Sequence, residues 1–353
     1  MKVIFRVDSS NKIGSGHIMR CIAMAEKLKC FTDVIFISRR LKGNINHIVS
    51  QSGFNLIELE APKTDNGTWL TVGFKQDAEE TVQILKSITE KIVLITDHYE
   101  LDEQWETIIK PYVNKIVVID DLGNRKHYCN ILIDNSTEEG IIKYKNLINY
   151  NGQIIYGRQY QIFRDEFLLQ KAKNSCNLKR IEKVLAFFGG SDPTAETLRF
   201  IRNLNFPKYQ HIKFYIIIGE SNPLKDYIAR ELCCFSNTEL LIQISNMAEC
   251  LTNVDICFGA AGVSNWERVF LQVPSFCVSV ADNQKIAENT FDFSKPYIYL
   301  GHFDNINDTI YEKALEWAIN NVEILNNIKH NASKIFENYE KNINFVIREI
   351  LKE

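Results

Sequence analysis

Short apolar runs alternate along this chain with stretches of helical spacing. Lys2–Val7 is an apolar run without Gly or Pro, and Ile18, Ile22, Ala25 and Leu28 follow it at i, i+4, i+7 spacing. The pattern predicts a first strand, a turn over residues 9–16 and a first helix. Further strand-like runs fall at Val34–Ser38, Asn55–Leu59, Ile92–Thr96, Lys115–Ile119 and Ile131–Ile133, with helical patterns between most of them. A polar stretch around Lys171–Arg180 interrupts the rhythm, which restarts with Val184–Phe188, Phe214–Ile218, Leu240–Ile242, Ile256–Phe258 and Ser275–Val278. Strands alternating with helices predict an α/β fold with parallel sheets. We read two Rossmann-like domains with a cleft between them, over residues 1–170 and 181–335, and a C-terminal helix at 336–353. Residues 307–353 contain no Pro and read as helices rich in Asn, Lys and Glu.

A chain of 353 residues suits two domains of ordinary size, each with its own core. The formal net charge of −3 gives no basic surface for nucleic acid or an anionic membrane, so the expected partner is a small molecule. Nine cysteines form an odd set with no C-x-x-C, and several fall in apolar segments, as reduced core thiols do. The start of the chain lacks a basic region followed by an apolar signal core, and no segment approaches 18 uninterrupted apolar residues. A monomeric cytoplasmic protein that does not span a membrane is therefore expected.

Candidate chemistry collects at predicted strand ends, where doubly wound sheets bind ligands. The turn after the first strand carries Gly14 and Gly16, which allow close backbone approach, and delivers His17 into the first helical turn, where a neutral imidazole can accept a proton. The alternative is a histidine that only caps the helix. Phe187-Phe188-Gly189-Gly190-Ser191-Asp192-Pro193 opens the second half with another strand, glycine turn and helix start, suited either to phosphate oxygens or to simple N-capping by Ser191 or Asp192. A second such turn, Gly259–Glu267, places Glu267 where a carboxylate can take both ribose hydroxyls, or where it is a solvated helix glutamate. The loop Ile244–Glu249, with Met247, could pair its backbone with the edge of a flat base. Asp282, Asn283 and Gln284 supply three consecutive hydrogen-bonding side chains. Thr96-Asp97-His98-Tyr99 and Asp120-Asp121 also end strands and either face the same cleft or form turns.

Taken in order, these motifs resemble those of the UDP-2,4-diacetamido-2,4,6-trideoxy-β-L-altropyranose hydrolases of pseudaminic acid biosynthesis. The carriers are R-V-D-x-S-x-x-I-G-x-G-H-x-M-R-C at 6–21, D-H-Y at 97–99, I-D-D-L at 119–122, F-F-G-G-S-D-P-T at 187–194, N-M-A-E at 246–249, G-A-A-G-x-S-x-W-E-R at 259–268 and A-D-N-Q at 281–284. The resemblance covers residues 1 to about 305 and implies a GT-B-like fold, with UDP held mostly by the second domain and the sugar reaching towards the first. It implies His17 as the catalytic base, with Tyr99 and Asn283 acting at the sugar. Gly14, Gly16 and Arg20 would line the substrate site in the first domain. In the second, Gly190, Ser191, Gly262 and Ser264 would meet phosphate, Glu267 the ribose and Met247 the uracil, with Asp282 and Gln284 beside Asn283. The chain departs from the family at Tyr156–Tyr160, which lacks a proline after its glycine, at Asn265, at Phe291–Tyr297, which lacks a glycine, and in its longer tail.

The chemistry expected on this resemblance is hydrolysis of the glycosyl C1–O bond with inversion. UDP is a stabilised leaving group, so one base suffices where ordinary glycosidases need two carboxyl groups. The chain contains no Asp-x-Asp pair and no metal-ligand spacing, so no metal and no cofactor are expected. The alternatives are a GT-B glycosyltransferase that replaces water with a hydroxyl acceptor, or a non-catalytic UDP-sugar sensor. A nicotinamide dehydrogenase fits less well, because the G-x-G-H turn lacks the third glycine of the dinucleotide fingerprint.

Overall fold

The computed structural model describes residues 1–62, 67–136, 138–149, 151–171, 177–281 and 290–352. The chain divides into two compact units, Met1–Arg164 with Asn338–Glu353, and Asp165–Glu337.

The first unit runs β1 (Lys2–Val7), α1 (Gly16–Leu28), β2 (Asp33–Arg39), α2 (Asn46–Gln51), β3 (Asn55–Leu59), α3 (Phe74–Leu85), β4 (Ile92–Asp97), α4 (Glu103–Ile109), β5 (Lys115–Ile119), β6 (Ile131–Asp134), α5 (Gly140–Lys143) and β7 (Gln153–Tyr156). Its seven strands form one parallel sheet in the order β3-β2-β1-β4-β5-β6-β7. Central strands of such a sheet are covered on both faces and read as continuous apolar runs, which is why Val3, Ile4, Phe5 and Val7 are all fully buried.

The second unit runs α6 (Asp165–Lys171), β8 (Lys183–Phe187), α7 (Glu196–Arg202), β9 (Lys213–Ile218), α8 (Lys225–Leu232), β10 (Thr238–Ile242), α9 (Met247–Thr252), β11 (Ile256–Ala260), α10 (Val263–Phe270), β12 (Ser275–Ser279), β13 (Ile298–His302), α11 (Ile310–Asn320) and α12 (Val322–Ile335). Its parallel sheet has the order β10-β9-β8-β11-β12-β13. Phe200, Phe258, Phe276 and Tyr311 pack at its centre, with the Phe258 and Phe276 rings stacked 4.9 Å apart.

The last helix, α13 (Tyr339–Leu351), belongs to the first unit. The Tyr339 hydroxyl accepts the Phe163 N–H at 3.0 Å, and the Lys115 ammonium donates to Glu349 O and Ile350 O at 2.9 and 3.1 Å, neutralising the carbonyls that end the helix.

Two Rossmann-like α/β units are thus what the strand rhythm predicts, with two strands more than the apolar pattern shows. Both additions are edge strands. β7 has four residues, of which only Ile155 is fully buried, so its apolar signal is weak. β13 is fully buried, but Gly301 at φ +127° interrupts its run, and its register against β12 shifts at Cys277/Val278. Among the described residues, no helix is long and apolar enough to cross a membrane.

One feature of the first core has no apolar signature at all. Arg6, Asp8, Arg39 and Asp77 are almost completely buried together. Asp77 accepts from Arg6 Nη2 at 2.6 Å, Arg39 Nη2 at 2.8 Å and the Trp105 indole N–H at 3.0 Å, while Asp8 takes the other edge of the Arg6 guanidinium at 2.6 and 2.9 Å. Burial alone would push the Asp77 carboxyl up, but Arg6 and Arg39 outweigh it and bring it down to about 2.

Candidate active site

In the first sheet the chain leaves β1 for β2 and β3 on one side and returns through β4 on the other, so β1 and β4 flank the switch point. Ligands of open α/β sheets bind beyond the carboxyl ends of the strands at that point. After β1 the Gly14 N–H donates to Ser10 O at 2.8 Å, and Gly14 takes φ +79°, a conformation only glycine adopts without strain. The turn delivers Gly16 and His17 as the first two residues of α1.

His17 is buried, and its Nδ1 lies 2.6 Å from Oδ1 of Asp97, the last residue of β4. Arg20, one turn further along α1, grips the same carboxylate through Nε at 2.5 Å and Nη2 at 2.6 Å, and reaches Asp121 Oδ2 with Nη1 at 3.0 Å. Burial would raise the Asp97 carboxyl, yet Arg20 and then His17 hold it well below the usual carboxylate range. An ionised carboxylate only accepts, so Nδ1–H is the donor of this bond, and in the neutral tautomer it selects, Nε2 is the free ring nitrogen.

Two aromatic rings meet the imidazole edge to face. The Tyr99 ring lies 4.5 Å away at 85° and the Trp69 ring 5.7 Å away at 84°, and the two are tilted against each other at 5.0 Å. Trp69 is held there by its own backbone, since the Trp69 and Leu70 N–H groups donate to the Glu100 carboxylate at 2.8 and 2.6 Å. Burial, and then the Asp121 carboxylate, push the Tyr99 phenol up, so it stays a neutral O–H donor. Asp121 Oδ1 is itself buried without a hydrogen-bond partner among the described residues.

The neighbouring residues of these motifs have other places. His98 is fully buried, takes the Glu100 N–H on Nδ1 at 3.2 Å and turns Nε2 towards Asp8 at 3.6 Å; burial, against the pull of Asp8, brings its imidazole down to about 4. It is a neutral member of the buried charge cluster. Asp120 accepts from Arg125 Nη1 at 2.6 Å, the Gly123 N–H at 2.9 Å and the Tyr144 hydroxyl at 2.8 Å, so it braces the loop after β5. Of the Asp120-Asp121 pair, only Asp121 joins the His17 group.

In the second sheet β8 and β11 flank the switch point. Beyond β8 lie Gly189 at φ +113°, Gly190 and Ser191, whose hydroxyl has no partner among the described residues. Gly219, at the end of β9, backs this turn so closely that a Cβ there would lie 2.7 Å from Gly190 O. Asp192 caps α7, its two carboxylate oxygens accepting the Glu196 and Thr197 N–H groups at 3.0 and 2.8 Å. The sequence left N-capping and phosphate binding open here, and Asp192 has taken the helix amides; what remains for an anion is the turn itself. Beyond β11, Gly262 precedes α10 in extended conformation, Ser264 is the second residue of the helix and Glu267 stands one turn further on. Met247 opens α9 after β10, at the edge of the sheet. Asp282, Asn283 and Gln284 lie outside the described residues.

The structure therefore brings Gly14, Gly16, His17, Arg20 and Tyr99 to one sheet edge in the first unit, and Gly190, Ser191, Gly262 and Ser264 to adjacent strand ends in the second. Sequence reasoning missed Trp69 altogether and gave Asp97 no partner. Among the described residues no group of three or more His, Cys, Asp or Glu side chains is placed to hold a metal ion.

No protein-family model matches the chain. It is 26% identical over 291 residues to the UDP-2,4-diacetamido-2,4,6-trideoxy-beta-L-altropyranose hydrolase of Campylobacter jejuni, which covers 81% of this chain and 94% of that protein. The resemblance carried by the motifs thus extends over most of the chain. An uncharacterized protein of Methanocaldococcus jannaschii is 24% identical over 288 residues, 78% of this chain and 54% of that protein, so the match spans about half of that relative's length. Among solved structures, a Medicago truncatula protein complexed with UDP-glucose superposes with a TM-score of 0.65 at 12% identity, covering 99% of this chain and 98% of the other. The UDP-GlcNAc 2-epimerase of Neisseria meningitidis gives 0.63 at 11%, covering 99% of both. The fold is of the GT-B type.

Proposed function

We propose that the protein hydrolyses a UDP-sugar at the glycosyl C1–O bond, releasing UDP and the free sugar with inversion, and that the sugar is 2,4-diacetamido-2,4,6-trideoxy-β-L-altropyranose. The observation that carries the reading is the His17–Asp97 contact at 2.6 Å, which frees His17 Nε2 to take a proton from water. The likeness to the Campylobacter hydrolase supports the substrate. In this reading water attacks C1 on the face opposite UDP, its proton passes to His17 Nε2, and the electron pair of the C1–O bond leaves on the β-phosphate oxygen. Asp97 stays ionised and stabilises the imidazolium that forms, with Arg20 fixing the carboxylate. Gly14 and Gly16 let the turn approach the sugar, Tyr99 donates to it from its neutral phenol, and Asn283, Asp282 and Gln284 are assigned to it by the resemblance alone.

Uridine diphosphate is assigned to the second unit: phosphates to Gly190, Ser191, Gly262 and Ser264, ribose hydroxyls to Glu267, uracil to the backbone at Met247. Glu267→Ala is expected to weaken UDP binding by about 1.5–3 kcal/mol, the range for hydrogen bonds to a charged group, as read by titration calorimetry. Unchanged affinity would make Glu267 a residue of the helix surface.

Because this account meets the diphosphate with backbone and hydroxyl donors, turnover is expected to survive excess EDTA. If EDTA abolished turnover and magnesium restored it, metal ligands would have to be sought among the carboxylates, with Asp121 first, whose Oδ1 has no partner among the described residues. The reaction class is tested by incubating the protein with the UDP-sugar in buffer alone. Stoichiometric UDP and free sugar support hydrolysis, whereas turnover only on addition of an alcohol acceptor would make the protein a transferase.

A further inference from the structure

Three arginines are buried among the described residues, Arg6, Arg39 and Arg268. Arg6 is paired with Asp8 and Asp77, and Arg39 with Asp77 and Glu80. Arg268, in the second half of α10, is 1% exposed and has no carboxylate within ion-pair distance among the described residues. Its Nη2 donates to Ala260 O at 2.7 Å, with Asn265 Oδ1 and Cys277 Sγ at 3.4 Å, and its Nε has no acceptor among the described residues. The neighbouring Glu267 carboxylate acts on it only from beyond ion-pair distance, and a buried ion without a paired partner carries a desolvation cost that an apolar side chain of similar volume would avoid. Core packing alone therefore does not explain an arginine here.

Its position supplies a reason. The guanidinium lies under the carboxyl ends of β8 and β11: a Cβ on Gly259 would fall 2.8 Å from Arg268 Nη1 and 2.4 Å from Phe187 O. Nη1 also donates to Ser264 Oγ at 3.3 Å. With its lone pair engaged from below, the Ser264 hydroxyl keeps its proton for an acceptor on the other side, and it has no such acceptor among the described residues. A positive charge in a dry interior acts strongly on an anion at the adjacent turn.

We propose that Arg268 is a positioning residue for a diphosphate, supplying a buried positive charge beneath the turn Gly262–Ser264 and aiming the Ser264 hydroxyl at a phosphate oxygen. The proposal rests on the reading of that turn as a phosphate site. It is tested by calorimetry of UDP and of uridine on the wild type, Arg268→Met, Ser264→Ala and the double variant. Arg268→Met is expected to weaken UDP about tenfold or more while leaving uridine unchanged, and Ser264→Ala is expected to cost less in the Arg268→Met background than in the wild type. Equal losses for UDP and uridine, or no loss for UDP, would overturn it. A wild type that binds UDP no tighter than uridine would remove the phosphate reading of the turn and the proposal with it. Should Arg268→Met fail to fold, Arg268→Lys carries the test: it keeps the charge but cannot hold Ala260 and Ser264 together, so undiminished coupling to Ser264→Ala would overturn the proposal.

Discussion

His17→Phe is expected to lower kcat by about 10²–10⁴-fold, the usual worth of proton transfer by a positioned side chain, while UDP affinity changes little. The two readouts separate because the base is assigned to the first unit and the nucleotide contacts to the second. Phe keeps a ring of similar size against Tyr99 and Trp69, so the aromatic packing is preserved and the lost function is that of Nε2 and of Nδ1–H on Asp97. Retention of more than about a tenth of the wild-type kcat would make His17 a residue of the helix start and require another base.

The largest expected effect on stability is in the buried charge cluster. Asp77→Ala removes the carboxylate shared by Arg6 and Arg39 and leaves the Trp105 indole N–H without its acceptor. Breaking a buried pair by deleting one partner typically costs about 3–5 kcal/mol, because the other charge stays buried. Asp8 still holds Arg6 and Glu80 still holds Arg39, so the loss is expected at the lower end of that range. Urea unfolding followed on the first unit measures it, and a loss below about 1 kcal/mol would show that the remaining carboxylates suffice. The same cluster sets a pH dependence. The Asp77 carboxyl is lower in the folded chain than its ordinary value, so its stabilisation is present above the ordinary carboxylate range and is lost as pH falls through about 2.

Much of this architecture is legible in the sequence because parallel strands covered on both faces must be apolar along their length. The inner strands β1, β2, β4, β5, β6, β8, β9, β11 and β12 stand out for that reason, while the edge strands β3 and β10 show only as short mixed runs. The other two edge strands, β7 and β13, escape it, since one flank of an edge strand has no neighbouring strand and its run can be short or broken by a glycine. The site divides in the same way. His17 is visible as a candidate because it follows a glycine turn between a strand and a helix, a position that the sequence alone also gives to a helix cap. Asp97 can be seen at a strand end, but that it faces His17 follows only from β1 and β4 being neighbours in the sheet. Trp69 has no periodicity to read: backbone bonds to Glu100 place it, 31 residues away for Trp69 itself. Arg268 stands in a motif that the sequence shows, yet its lack of an ion-pair partner among the described residues is a property of the folded core. Nor could spacing decide that Asp192 would take the amides of α7.

In the proposed reaction water, activated at His17, attacks the anomeric carbon. The most direct test is turnover of the UDP-sugar in oxygen-18 water with mass analysis of both products. One heavy oxygen is expected in the released sugar and none in UDP; label in UDP would mean attack at phosphorus and would rule out attack at C1.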